Sequence, residues 1–430
     1  MNIIKLRDIS SEVLQSLFNR PLSSDSGLDN KVKDICLSVK KNGDTALRKY
    51  TSEFDSIDIE DFRVSPDEME RASTQVEKTL TEAINNALEN IRKFHSAQFP
   101  TPEIIETSPG IFCHRELRSI ENVGLYVPGG SAPLISTVLM LGVPATLAEC
   151  ERTVICTPPN STGEINPAIL YAANLLGISE VYKIGGAQAI AAMAYGTESI
   201  PAVDKIFGPG NPYVTAAKKF VSTDSEGASI DFPAGPTELL IIADEFADPK
   251  LIAWDLAAQA EHGENSNVLL LTDSQEIAGL VSEALTDLPL DNTRKEIIYG
   301  CLEKSYAIVT NSIDEAIIFS NKYAPEHLSL HIENPDSVSD NLKNAGTVFL
   351  GKFTPPAAGD YATGANHTLP TNGYAKSFSS LSVSDFQKFI TFQKIEERGL
   401  EAVATTVTTL AEAESLFTHS GSIKARFDDV

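Results

Sequence analysis

The stretch that decides the fold is residues 151–210, "ERTVICTPPNSTGEINPAILYAANLLGISEVYKIGGAQAIAAMAYGTESIPAVDKIFGPG". "RTVICT" reads as a strand, "NPAILYAANLLG" as a helix, "VYKIGG" as a strand, "AQAIAAMAYG" as a helix and "VDKIFGPG" as a strand. Short apolar runs alternating with helical patterns are the signature of a parallel sheet with helical crossovers. Working outward, a second series starts at "ELLIIAD" (238–244). It continues through a helix at 249–262, "NVLLLT", a helix at 275–286, "YAIVT", a helix at 313–321, "HLSLHI" and "GTVFLG". The expected fold is α/β: two successive Rossmann-like parallel-sheet units, an N-terminal helical region and a small C-terminal helical module. The expected boundaries are 1–105, mostly helical with part packing on an α/β unit; 106–235, the first α/β unit; 236–378, the second; and 379–430, the helical module.

In the N-terminal region, Ile84, Ala87, Leu88 and Ile91 recur at helical spacing within 81–98. His95, near the end of that helix, is expected at the surface or as a cap. Residues 110–130 read as two strands around a polar turn. His114, mid-strand and without a local partner, is read as structural. After "FLGKF" comes "TPPAAGDYATGANHTLPTNG" (354–373), and a loop this long without structure of its own is usually functional.

Composition narrows the function classes. The chain has 430 residues, 42% hydrophobic and 22% charged, the balance of an ordinary globular protein of about three domains. No apolar run approaches the ~20 residues of a membrane helix. The opening "MNIIKLRDIS" has no basic segment leading into an apolar one, so no signal peptide is expected. Five cysteines without a CxxC pair argue against a disulfide framework and fit a reducing cytoplasm. A formal charge of −25 repels phosphates and argues against nucleic acid as a partner.

Open parallel sheets bind ligands at the carboxyl ends of their strands, so candidate residues should follow strands. "GPGNP" does, with Asn211 as a helix N-cap and Pro212 as the first helical residue, an end suited to phosphate. "GGAQA" and "YVPGG" also follow strands. None is GxGxxG, and tight turns need Gly equally. "LAAQAEHGENSN" (256–267) places Gln259 and His262 three residues apart on one helical face. They could hold a metal or substrate, or form an ordinary helix end with Gly263 beyond it. "APEHL" sets Glu326 beside His327 at the mouth of a strand, two proton acceptors of different natural pKa. In an extended segment neighbours face opposite ways, so the two would act on different atoms unless the backbone bends. Asp360 and His367 lie on the long loop, and Glu414 and His419 end a late helix. Gln259, His262, Asp360 and His419 would make an N/O metal set suited to zinc, although Gln is a weak ligand and the spacing matches no compact motif. Composition and spacing alone do not establish that site.

The sequence resembles the histidinol dehydrogenase family over essentially its whole length. The stretches that carry the resemblance are "GLYVPGGSAPLISTVLML", "GGAQAIAA", "GPGN", "DFPAGPTE", "QAEHG", "APEHL", "AAGDYATGANHTLPT" and "FSSLSVSDFQK", in this order. The resemblance implies a zinc-dependent, NAD-linked four-electron oxidation of L-histidinol, through histidinal, to L-histidine. It also implies one Zn2+ per subunit and a cytoplasmic homodimer with shared active sites. By that resemblance Gln259, His262, Asp360 and His419 correspond to the metal ligands. Glu326 and His327 correspond to the acid–base pair, His327 serving the alcohol step and Glu326 activating water in the aldehyde step. Thr237, His367 and Glu414, with the metal ligands and His327, match substrate contacts; Tyr126, Gln188 and Asn211 match NAD contacts. Position 237 is Thr where the family usually has Ser, and a small change in packing is expected. Two other classes use the same residues: a metal-dependent hydrolase, which needs no nicotinamide, and a non-catalytic metal-binding protein, which needs neither Glu326 nor His327.

Overall fold

The computed structural model describes residues 1–20, 26–101, 103–129, 133–291 and 293–427. Gly130 of "YVPGG" and the last three residues of the tail lie outside them. The chain opens with strand β1 (Asn2–Lys5) and helix α1 (Ser11–Asn19), capped by the Ser10 hydroxyl, which accepts from Val13 N–H. Helices α2 (Ser26–Asp55), α3 (Pro66–Gln75) and α4 (Lys78–Ser96) follow, α2 being interrupted at Gly43, where φ is 52°. Strands β2 (Ile104–Ser108) and β3 (Ile111–Ser119) come next.

The first parallel series is β4 (Asn122–Tyr126), α5 (Ile135–Leu147), β5 (Arg152–Thr157), α6 (Pro167–Leu175), β6 (Glu180–Lys183), α7 (Gly186–Tyr195), β7 (Lys205–Phe207), α8 (Pro212–Thr223) and β8 (Ser229–Ile230). Its five strands pair in the order β6-β5-β4-β7-β8, all parallel. Both faces of the sheet are covered, which is why the strands are apolar throughout. Ile84, Leu88 and Ile91 of α4 share one core with Val123, Leu125 and helices α5 and α6. Val32, Val39 and Leu47 of α2 share the other with Ile190 and Met193 of α7.

The second series is β9 (Glu238–Ala243), α9 (Pro249–Ala260), β10 (Asn267–Thr272), α10 (Gln275–Asp287), α11 (Lys295–Glu303), β11 (Tyr306–Val309), α12 (Ile313–Tyr323), β12 (His327–His331), β13 (Thr347–Leu350) and α13 (Pro356–Tyr361). Its sheet has six parallel strands in the order β1-β11-β10-β9-β12-β13. Helix α11 is an addition to the sequence-based expectation: Ile298, Cys301 and Leu302 are buried at helical spacing, with Gly300 interrupting the pattern. The tail begins with a strand, β14 (Gln387–Ile395), before helices α14 (Glu397–Ala413) and α15 (Phe417–Lys424).

The chain divides into two compact units, residues 1–98 with 120–386, and residues 99–119 with 387–430. The second unit is tied together by β14, which pairs antiparallel with β3 from Gln387 opposite Ser119 to Ile395 opposite Ile111. The strands read at 110–130 therefore enter different sheets, β3 here and β4 in the first unit. His114 has partners, contrary to expectation: Nε2 lies 3.3 Å from Glu116 Oε1, and the ring stacks on Phe392 across the ladder.

His95 is buried, not a surface residue. It continues the stripe Ile84, Leu88, Ile91, so helical periodicity carries it inward. Its Nδ1 donates to Ile91 O at 2.9 Å, and its Nε2 accepts from the Asn366 amide at 3.2 Å. Asn366 also donates to Met140 O at 2.7 Å, so α4 and α5 anchor the segment that carries His367. Among the described residues no helix is long and apolar enough to cross a membrane.

Candidate active site

In the second series the candidate residues gather at the strand ends opposite to those expected. Glu326 and His327 open β12, and Thr237 and Glu238 open β9, the two strands pairing with His327 opposite Leu239. These are amino-terminal ends. The carboxyl ends of the first sheet meet them: Pro128 after β4 and Gly208–Gly210 after β7 line the same cavity, of about 250 Å3. Thr237, Gln259, His262, Glu326, His327, Asp360 and His367 all line it.

Each side chain is placed by its element. Gln259 stands in the last turn of α9, and His262 lies in the turn just beyond, its N–H on Gln259 O at 3.4 Å. Asp360 stands in the last turn of α13, inside the segment read as loop. Glu326 and His327 do not face apart. The chain bends as it enters β12, and Glu326 Oε2 lies 3.4 Å from His327 Nδ1.

Hydrogen bonds fix which atoms are left for chemistry. Glu326 Oε2 accepts from the Thr237 hydroxyl at 2.6 Å and from Glu238 N–H at 2.8 Å; Oε1 has no hydrogen-bond partner among the described residues. Because Thr237 donates to an acceptor-only carboxylate, its oxygen is free to accept, and it does so from the Gln259 side-chain N–H2. The Gln259 carbonyl oxygen is thereby turned away from Thr237. His327 Nδ1 lies 2.9 Å from Glu238 O, so that nitrogen carries the proton, and the buried Nε2 has no hydrogen-bond partner. Nε2 stands 3.6 Å from Asp360 Oδ1. A lone pair and a carboxylate facing each other call for a proton or a cation between them. Burial pulls the His327 pKa down, but Glu326 and Asp360 outweigh it and push it up to about 10. Burial opposes the charge on Asp360, yet His327, His367 and His262 hold its carboxyl below the usual range. His367 is lowered by burial; its Nδ1 donates to Asp360 O at 2.9 Å.

Behind this layer lies a buried carboxylate that motif reading passed over. Glu238 is fully buried and ion-paired to Arg20 at 2.7 Å. Burial pushes its carboxyl up to about 7, Arg20 pulling down and Glu326 adding to the rise. The signal was a charged residue at the head of the otherwise apolar "ELLIIA". A second unread pair sits behind the "GPG" turn. The buried Lys218 and Asp231 are ion-paired; Lys218 donates to Gly208 O and Asp231 accepts from Gly208 N–H, both at 2.8 Å.

The other expected residues lie outside this cavity. Tyr126 and Gln188 are buried, Tyr126 accepting at its hydroxyl from Gly186 N–H at 3.1 Å. Asn211 is exposed and caps α8, accepting from Val214 N–H at 3.0 Å, with Pro212 at the first helical position. Glu414 and His419 belong to the second unit, where both are exposed on this single chain. Among the described residues no three His, Cys, Asp or Glu side chains converge as a metal site; within the first unit the expected donor set has only His262 and Asp360 of those types.

A buried carboxylate–imidazole pair in a cavity between the strand ends of two parallel sheets is the arrangement of an α/β enzyme. The histidinol dehydrogenase family model matches residues 18–427. Histidinol dehydrogenases of Vibrio parahaemolyticus and Salmonella typhimurium are each 46% identical over 429 residues, covering 100% and 99% of this chain and 99% and 97% of their own lengths. The crystal structure of histidinol dehydrogenase from Elizabethkingia anophelis superposes with a TM-score of 0.93 at 48% identity, over 99% of this chain and 98% of that one. The chain belongs to the histidinol dehydrogenase family, oxidoreductases of histidine biosynthesis.

Proposed function

We propose that this protein is a cytoplasmic, zinc-dependent, NAD-linked enzyme that oxidises L-histidinol through histidinal to L-histidine. The observation that carries the reading is that His327 Nε2 and Glu326 Oε1 belong to residues lining one cavity and have no hydrogen-bond partner among the described residues. One suits an alcohol proton and the other a water proton.

Gln259, His262 and Asp360 would hold Zn2+ with His419, and the Gln259 oxygen left free by Thr237 and the Asp360 carboxylate, which line the same cavity, are donors that fit such an ion. Zinc, when bound, supplies a fixed positive charge that orients the substrate amine and imidazole. Tyr126, Gln188 and Asn211 are the NAD-contact candidates, with the start of α8 suited to a phosphate; NAD, when bound, accepts each hydride. His327, held by Glu238 O at Nδ1, takes the alcohol proton at Nε2. Glu326, with Oε2 saturated, takes a water proton at Oε1 as the aldehyde is hydrated. Thr237, His367 and Glu414 complete the substrate contacts. The exposed Leu410, Leu416 and Phe417 near His419 in sequence support a homodimer in which that unit meets another copy.

Purified enzyme given limiting histidinol and excess NAD should yield two NADH and one histidine per histidinol. One NADH with free histidinal would overturn the reading. No NADH at all would favour a hydrolase or a metal-binding protein.

A further inference from the structure

The Glu238 carboxylate lies where four segments of the first unit converge. Oε2 accepts from Arg20 Nη1 at 2.7 Å and from Glu326 N–H at 3.3 Å, while Oε1 accepts from Asn372 N–H at 2.8 Å. Arg20, just after α1, also donates to Tyr323 O at 2.6 Å and stacks on the Tyr323 ring at 3.8 Å, gripping the end of α12. Glu238 and Glu326 hold each other reciprocally. The backbone N–H of each donates to the carboxylate of the other. Glu238 O in turn receives His327 Nδ1.

A buried carboxylate and a buried guanidinium are costly to desolvate and are weak evidence for stability in themselves. Here the pair holds the peptide that enters β12. A side chain one CH2 shorter would keep the charge for Arg20 but could not also span Asn372 and Glu326. We propose that Glu238, clamped by Arg20, is the positioning residue for Glu326: it fixes the Glu326 backbone so that Oε1 stays aimed into the cavity. It touches neither substrate nor cofactor and acts through Glu326. This inference rests on the proposed role of Glu326 in aldehyde oxidation.

The test is a double-mutant cycle on the full-length enzyme, with histidinol and histidinal supplied separately. Glu238→Asp should lower kcat for histidinal about tenfold to a hundredfold, the scale set by a displaced catalytic group. Its KM and the alcohol step should change less than about threefold, a general acid–base loss being larger. In a Glu326→Gln background, Glu238→Asp should have no further effect on the aldehyde step, because residues acting as a unit are non-additive. Equal losses in both steps for Glu238→Asp, or losses that add to those of Glu326→Gln, would overturn the positioning role. If Glu326→Gln itself impairs both steps alike, the reading of Glu326 fails. Silence of Glu238→Asp in that background then still decides the positioning. Should Glu238→Asp not fold, Glu238→Gln, which keeps the length, enters the same cycle.

Discussion

At the scale of single residues, the Thr237 hydroxyl is a relay: it donates to Glu326 and accepts from Gln259. Its methyl is all that separates it from a Ser, and the hydrogen-bonding atom would be the same. If zinc binds as proposed, Thr237→Ser should keep its affinity, whereas Thr237→Val removes the acceptor that orients Gln259. Loss of such an outer partner costs about tenfold to a hundredfold in metal affinity. Competition with a chelator measures it, and equal zinc retention in Thr237→Val and wild type would refute the relay. Glu238 gives a second prediction. Arg20, Tyr323 and Glu326 face it, and its carboxyl is raised from 4.5 to about 7. A raised carboxyl binds its proton more tightly folded than unfolded, so its contribution to stability falls as pH rises through that window. Glu238→Gln, which cannot ionise, should flatten that component of thermal stability between pH 4.5 and about 7. Parallel melting curves for the two proteins would contradict it.

At the scale of elements, the turn between β7 and α8 is held from both sides. Lys218 and Asp231 grip the Gly208 peptide. Gly208 itself has φ +118°, and a Cβ there would stand 2.2 Å from Tyr126 O. Only Gly fits that approach. Gly208→Ala should destabilise the protein by about 2–5 kcal/mol through strain and overlap. Denaturant unfolding would show a lowered midpoint at unchanged slope. A midpoint equal to wild type would mean that the turn relaxes freely. The N-cap at Asn211 and the Pro212 start of α8 were legible because both act within one helical turn. The burial of His95 was legible too, in the Ile84, Leu88, Ile91 stripe, once periodicity is weighed above polarity. Helix α13 was hidden because its six residues, "PAAGDY", are too few to show a period.

At the scale of the whole molecule, the candidate metal ligands are divided between the two units: Gln259, His262 and Asp360 in the first, His419 in the second. If two chains share sites, His262→Asn and His419→Asn homodimers should each lose zinc and activity. A mixed dimer would then carry both lesions in one site and none in the other. Random re-pairing makes about half the dimers mixed and about one site in four intact. Zinc content and NADH production, before and after re-pairing, give the answer. Mixed dimers seen by mass spectrometry that stay inactive, while wild type recovers in parallel, would place His419 within its own chain.

What the sequence determined by itself is local or repeated: the two βαβ series, their crossover helices, the caps and the eight motif stretches. Each is written in neighbours a few residues apart, where periodicity and turn chemistry act. Only the tertiary structure decided which strand ends form the site. Parallel pairing of β9 with β12 brings Glu238 beside Glu326, eighty-eight positions apart in sequence. It decided that β1 joins the second sheet and β14 pairs with β3. It also decided that Arg20, near the N-terminus, reaches Glu238, which sits behind Glu326 and His327. Pairings between distant segments are set by burial and register in the assembled core, and no local pattern encodes which partner a buried charge will find.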